Sequence, residues 1–238
     1  MNDTSAPLFA VGLTRTYGRL EALVDLDLTI REGECVALIG ANGSGKSTAV
    51  RMMAGLLEPT AGAVHVCGWD PHTEPEAELA RGAIAVVPDN PLLYEDLTVR
   101  RHLELVALAH GVADDGLDER IDALLERLGL SARSDFLPAE LSRGMRQKAQ
   151  LACALIRPAR LLVLDEPVVG LDPPSQRLLH EILVEAKRAG TAVLMTTHQL
   201  GFADGLADRA LVLAEGRVVD EGAWTAVEGR AAERGWLR

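Results

Sequence analysis

A nearly continuous apolar run, Glu34 to Ile39, leads directly into Gly40-Ala41-Asn42-Gly43-Ser44-Gly45-Lys46-Ser47-Thr48, and helix-forming residues continue to about Leu56. A run of strand length that is apolar throughout belongs to a strand buried on both faces, the kind found in parallel sheets covered by helices. Glycines at 40, 43 and 45 permit backbone angles that side chains forbid, so that successive amides converge on one anion at a helix N-terminus. The spacing is that of a phosphate loop, and the strand before it and helix after it argue against a chance glycine-rich turn. Lys46 is expected to reach the β- and γ-phosphates of a nucleotide, Ser47 to ligate Mg²⁺ and Thr48 to bind the α-phosphate. Taken alone, the motif implies a nucleoside triphosphatase and nothing narrower.

A second apolar strand, Leu161 to Leu164, ends in Asp165-Glu166-Pro167. The carboxyl ends of parallel strands open onto the ligand crevice, so two acids there face the phosphate loop. Asp165 is expected to hold Mg²⁺ through water. Glu166 is expected to take the proton of the attacking water and direct it at the γ-phosphate. The competing reading, a solvated acidic turn capped by Pro167, fits the four preceding apolar residues poorly.

Periodicity fills in the frame. Leu8 to Thr16 and Val24 to Ile30 read as partner strands, with Val24, Leu26, Leu28 and Ile30 on one face. Gly62 to Cys67 and Ala83 to Val87 are further strands. Val99 to Ala109, Leu117 to Leu128 and Arg143 to Ile156 are helical, and Ile121, Leu124, Leu125 and Leu128 share a face. Pro173 to Arg188 is an amphipathic helix, Thr191 to Thr196 a buried strand, Leu211 to Val219 a hairpin turning at Glu215-Gly216, and Ala223 to Arg238 a short amphipathic helix. Strands alternating with helices predict an α/β P-loop (RecA-like) core, with an N-terminal antiparallel β portion and an inserted α-helical subdomain. The expected division is one domain, 1–238, with the core at 1–91 and 157–238 and the helical insertion at 92–156.

Composition narrows the partners. With 24 Lys and Arg against 35 Asp and Glu the net charge is -11, which argues against a general nucleic-acid surface. Cys35, Cys67 and Cys153 form no Cys-x-x-Cys pair and read as reduced thiols. The polar start with Asp3 is unlike a signal peptide, and no apolar stretch reaches the ~18 residues of a spanning helix. The expected location is the cytoplasm, and if the chain works at a membrane a partner holds it there.

A third motif, Leu141-Ser142-Arg143-Gly144-Met145, followed by Arg146-Gln147-Lys148, has no task in its own chain's nucleotide site. With the first two motifs it makes the chain resemble the nucleotide-binding subunit of an ABC (ATP-binding cassette) transporter, from about Leu8 to Val219. The segment is similar to the family signature Leu-Ser-Gly-Gly-Gln. The resemblance implies that Ser142 and Gly144 bind the γ-phosphate of ATP held by a second subunit, although Ser142 is also an ordinary helix N-cap. It further implies a dimer-crossing loop at Gly170-Leu171-Asp172, a switch histidine at His198 and an adenine-stacking aromatic at Tyr17. The plain alternatives are a structural histidine and a packed strand-end tyrosine.

Two positions depart from the family. Asp89, in Val87-Pro88-Asp89-Asn90-Pro91, stands where Gln or Glu is usual; it still offers an oxygen to Mg²⁺ or water, from a shorter side chain. Arg143 and Met145 replace a glycine and a glutamine. This variant signature, with Pro91-Leu92-Leu93-Tyr94-Glu95-Asp96-Leu97-Thr98-Val99, resembles the branch serving ABC-2-type exporters. The expected function is ATP binding and hydrolysis in a nucleotide-sandwich dimer, homomeric or heteromeric, that drives ABC-2-type membrane permease subunits. Residues 89–96 are the expected docking segment. A soluble ABC ATPase that remodels a macromolecular complex is the alternative, and an inactive regulatory half of a heterodimer is a third reading.

Overall fold

The computed structural model describes residues 5–112 and 114–234. In chain order the elements are β1 (Leu8–Tyr17), β2 (Leu20–Ile30), β3 (Cys35–Ile39), α1 (Lys46–Met53), β4 (Ala61–His65), α2 (Glu76–Ala83), β5 (Ile84–Val87), α3 (Val99–Ala109), α4 (Leu117–Arg127), α5 (Arg143–Leu155), β6 (Leu161–Asp165), α6 (Pro173–Arg188), β7 (Ala192–Thr196), α7 (Leu200–Ala203), β8 (Arg209–Ala214), β9 (Arg217–Ala223) and α8 (Trp224–Arg234). One sheet has the order β5-β6-β7-β3-β8-β9, parallel except for β9. The other is antiparallel, in the order β2-β1-β4.

Strand alternation divides the core into two layers. On one face of the parallel sheet, Val36, Leu38, Leu161, Val163 and Leu194 pack with α1 and the antiparallel sheet. On the other, Ala37, Ile39, Leu162, Leu164, Val193 and Met195 share one apolar cluster with Leu103, Ile121, Leu125 and Leu151 of the helical block and Leu179 and Leu183 of α6. Both faces are covered, as the uninterrupted apolar strands predict. The carboxyl ends of β3 and β6 therefore emerge side by side with β7 between them, carrying the phosphate loop and the acid pair.

Four local features differ from the periodic reading. On β2, Leu23 is buried and Val24 only partly so. Two steps along β1, Leu13 to Arg15, match three along β2, Leu26 to Leu23. The extra residue is a bulge around Asp25, whose φ is 54° and whose amide donates to Thr14 Oγ1 at 3.1 Å. One inserted residue moves every preceding side chain to the opposite face. α1 stops at Met53 rather than Leu56, because Gly55 (φ 73°) turns the chain. α2 was not legible: its buried face is only Ala77, Ala80 and Ala83, too small to register as an apolar stripe. The four-residue α7 is too short to show a period. The C-terminal helix is described as far as Arg234; residues 235–238 of its expected span lie outside the described residues.

Arg157, 8 % exposed, ties the helical block to the sheet. Its guanidinium donates to the carbonyls of Gly82 (2.8 Å) and Ile84, at the end of α2 and the start of β5. Burial holds its pKa below the ordinary arginine value, yet the group stays charged. Arg157→Met should orphan those carbonyls and lower stability by about 2–4 kcal/mol. The check is a fall in the urea midpoint at unchanged slope.

Candidate functional site

The phosphate loop is clamped between two other parts of the chain. α1 begins at Gly45 (φ 104°) without a side-chain cap, which leaves its first amides free for an anion. A Cβ on Gly40 (φ 153°) would sit 2.2 Å from the Leu213 carbonyl oxygen, and one on Gly45 2.6 Å from that of Ala22. The tip of the β8–β9 hairpin closes the clamp: the Gly216 amide donates to Ser44 O at 3.1 Å, and the Val24 amide to Gly216 O at 2.8 Å. Any side chain at 40 or 45 would force the loop off these supports.

Lys46, 6 % exposed, lies along the loop, its Nζ donating to Gly40 O (2.8 Å) and Ala41 O (3.0 Å). Burial lowers its pKa, opposed by the carboxylates of Glu166 and Asp165. Ser47 Oγ donates to Asp165 Oδ1 at 3.3 Å, and Thr196 Oγ1 donates to the same oxygen at 2.6 Å. Thr196 Oγ1 also accepts the Glu166 amide at 2.8 Å. That bond steadies Glu166 at φ 48°, a left-handed conformation that a residue with a side chain adopts only when its neighbours hold it there. Glu166 Oε2 accepts from His198 Nδ1 at 2.9 Å. Ser47, Asp165, Glu166 and His198 thus form one hydrogen-bonded group, joined by Thr196, with Lys46 within electrostatic reach of its carboxylates; the sequence reading missed Thr196, although a polar side chain ending an apolar strand is a signal. Thr196→Val should cost about 1–3 kcal/mol, because it removes both bonds while keeping the shape. Thr196→Ser should recover most of the loss in a thermal melt.

Beside this group lies a cavity of about 470 Å³, within the range of small-molecule sites. Asn42, Gly43, Gly45, Lys46, Ser47, Thr48, Glu166 and Asp89 line it. Leu20, Glu21, Ala22, Glu215 and Gly216 line it as well; no sequence motif marks them, because tertiary packing alone brings the hairpin tip and the start of β2 to the loop. Ser44 Oγ is buried without a partner, and Ala41 contributes its carbonyl to Lys46. Asp89 reaches the cavity wall and accepts from Asn90 Nδ2 at 3.3 Å. Tyr17 is not part of the wall: it is 48 % exposed at the end of β1, with the Arg15 guanidinium 4.7 Å from its ring centre.

Ser142, Gly144 and Asp172 lie elsewhere, in a second concavity of about 430 Å³ that they line with Arg143, Lys148 and Gly170. No residue is common to the two linings. Ser142 caps α5, its Oγ accepting the Met145 amide at 3.3 Å. Asp172 caps α6 by accepting the Ser175 amide at 3.3 Å, and the Ser175 side chain holds its carboxyl below the ordinary aspartate range. The arginine that replaces a signature glycine lies along Gly170: a Cβ there would meet Arg143 Cδ at 3.2 Å.

A glycine-rich loop on a central parallel strand, with an acid pair at the end of the next strand but one, defines a nucleotide-binding protein of the P-loop α/β class. The chain belongs to the ABC transporter family, whose model matches residues 23–169. It is 37 % identical over 206 residues to the ABC-type transporter ATP-binding protein EcsA of Bacillus subtilis, covering 87 % of this chain and 83 % of that one. It is 40 % identical over 213 residues to the Nod factor export ATP-binding protein I of Sinorhizobium fredii, covering 88 % of this chain but 61 % of that longer protein. Among solved structures, an ATP-binding subunit of an ABC transporter superposes with a TM-score of 0.88 at 36 % identity, covering 97 % of this chain and 95 % of that one. The cbiO1 protein of Clostridium perfringens, part of the ABC transporter complex cbiONQ, gives 0.80 at 26 % identity, covering 97 % and 94 %. The P-loop fold and the ATP-binding character expected from the motifs are therefore established. Among the described residues no helix is long and apolar enough to cross a membrane.

Proposed function

We propose that this chain hydrolyses ATP as the motor subunit of an ABC exporter. The observation that carries the reading is the separation of its two concavities. One holds the phosphate loop and Glu166; the other presents a hydroxyl, a helix N-terminus and two cations, Arg143 and Lys148, with no phosphate loop beside them. Two copies, or this chain and a relative, complete each other by closing head to tail.

In the closed pair, the loop amides and Lys46 hold the phosphates, and Thr48 takes the α-phosphate. Ser142 and Gly144 of the opposite subunit meet the γ-phosphate, while Asp172 lies at the crossing. Glu166 accepts the proton of the attacking water, and His198, hydrogen-bonded to Glu166, faces the γ-phosphate. Tyr17 stacks on the base with its free face, Arg15 backing the other. Ser47 and Asp165 would hold Mg²⁺, the first through its hydroxyl and the second through water, since both offer the hard oxygen donors that ion takes and the two side chains are already hydrogen-bonded. When bound, Mg²⁺ neutralises developing phosphate charge. Asp89 adds a carboxylate near that position. Asp89→Ala should reduce the ATPase response to the membrane subunits more than basal nucleotide affinity, and unchanged activity and coupling would remove Asp89 from the site.

The division into a core at 1–91 and 157–238 and a helical subdomain at 92–156 is part of the proposal, supported by the packing of α3 against α4 and α5. The direction, export, is supported by the relatives named for Nod factor export and by the variant signature. The partners proposed are ABC-2-type permease subunits, docked at residues 89–96 and holding the chain at the cytoplasmic membrane face. The test is purification of the tagged chain from native membranes in mild detergent. Co-purification of a polytopic membrane protein is expected; recovery with a ribosome or another soluble assembly would favour the non-transport reading.

A further inference from the structure

The segment between β5 and α3 belongs to no strand or helix and carries exposed apolar side chains. Leu93 packs on the main apolar cluster, while Leu92 and Tyr94 are 76 % and 63 % exposed. What holds this backbone is two side chains. Gln150 Oε1, on α5, accepts the Leu92 amide at 2.9 Å, and His102 Nε2, on α3, accepts the Tyr94 amide at 2.8 Å. His102 is 4 % exposed, and its Nδ1 lies 2.8 Å from Thr98 O. A carbonyl only accepts, so Nδ1 carries the proton and Nε2 is left as the acceptor. The Tyr94 ring also stacks on the imidazole, with centroids 6.0 Å apart and planes inclined by 25°. A buried imidazole is costly unless both nitrogens are bonded; here the Nδ1 bond fixes the ring on the N-cap of α3 and the Nε2 bond holds the Tyr94 amide.

We propose that His102, seconded by Gln150, is a positioning residue for subunit docking: by holding the Tyr94 amide it keeps Leu92 and Tyr94 turned outward as the surface a membrane-subunit loop meets. This rests on the docking role given above to residues 89–96. Asp89, at the inner end of the same segment, lines the nucleotide cavity, so the held backbone joins that cavity to the exposed pair. Gln150 belongs to the helix that Ser142 begins, so the segment is tied to both concavities.

Two measurements test the assignment. In amide-resolved hydrogen exchange on the isolated chain, Tyr94 should be protected in the wild type and in His102→Gln, whose amide oxygen replaces the acceptor. In His102→Leu it should exchange at least about tenfold faster. An unprotected Tyr94 amide in the wild type, or equal protection in His102→Leu, overturns the proposal. The second uses Leu92→Cys in native membranes with a thiol-linked photoreactive probe. The membrane-protein adduct should persist with His102→Gln and fall about fivefold or more with His102→Leu. Equal adducts in all three overturn the positioning role and leave docking intact, whereas no adduct in any overturns docking and the proposal together. If His102→Leu fails to bind MgATP, Gln150→Ala takes its place, with exchange read at Leu92.

Discussion

Glu166→Gln should bind MgATP with near-wild-type affinity and hydrolyse it about 10²–10⁴-fold more slowly. The substitution keeps the length of the side chain and an oxygen able to accept from His198, which in the wild type donates at 2.9 Å. It also keeps the backbone amide bonded to Thr196. What it removes is the basic carboxylate, the only property the proposed proton transfer requires. Because the closed state then outlives the measurement, light scattering should show the chain passing from monomer to dimer on addition of MgATP. Turnover at the wild-type rate would take Glu166 out of the role of base. Bound nucleotide without dimerisation would make the partner a different cassette, or assign the pairing to the membrane subunits.

Gly144→Ala should also keep binding and lose turnover, but with the opposite effect on association. A Cβ at 144 would lie 2.7 Å from the Gly170 carbonyl oxygen, so the signature segment and the loop before α6 must move apart. Neither lines the phosphate cavity. The isolated chain should therefore bind MgATP within about twofold of the wild type, while turnover falls about 10²–10³-fold, the usual effect of misplacing a donor to transition-state charge. Combined with Glu166→Gln, the substitution should abolish the ATP-dependent dimer. Hydrolysis at the wild-type rate in Gly144→Ala would mean that the second concavity takes no part in catalysis, and the head-to-tail arrangement would fall with it.

The two outcomes belong together because they probe two concavities that share no lining residue. Glu166 is proposed to act on the nucleotide bound to its own phosphate loop. Gly144 is proposed to act on the nucleotide of its neighbour. A single-site hydrolase would lose turnover from Glu166→Gln alone, with no change in association.

Much of this was legible in the chain because the chemistry is local. Phosphate binding needs consecutive amides on a loop followed by a helix, and Gly40 to Thr48 supply them in one stretch. The acid pair directly follows its own strand, and the apolar runs of β3, β6 and β7 announce a sheet buried on both faces. Helices α3 and α6 span the residues predicted for them, since each buries a wide apolar stripe between clear stops. What stayed hidden depends on packing between distant segments. The Asp25 bulge comes from the pairing of β2 with β1 and cannot be seen in β2 alone. Gly216 reaches Ser44 only because β8 lies beside β3. Thr196 joins Asp165 to Glu166 because β7 lies beside β6, and Arg157 and His102 find their backbone partners across element boundaries. The class of fold and the candidate reacting groups were thus readable in the chain, through motifs whose parts are neighbours along it. Only the tertiary structure decided which groups share a cavity and which stand apart, because separations between remote residues are set by strand order and side-chain packing, and no local pattern encodes them.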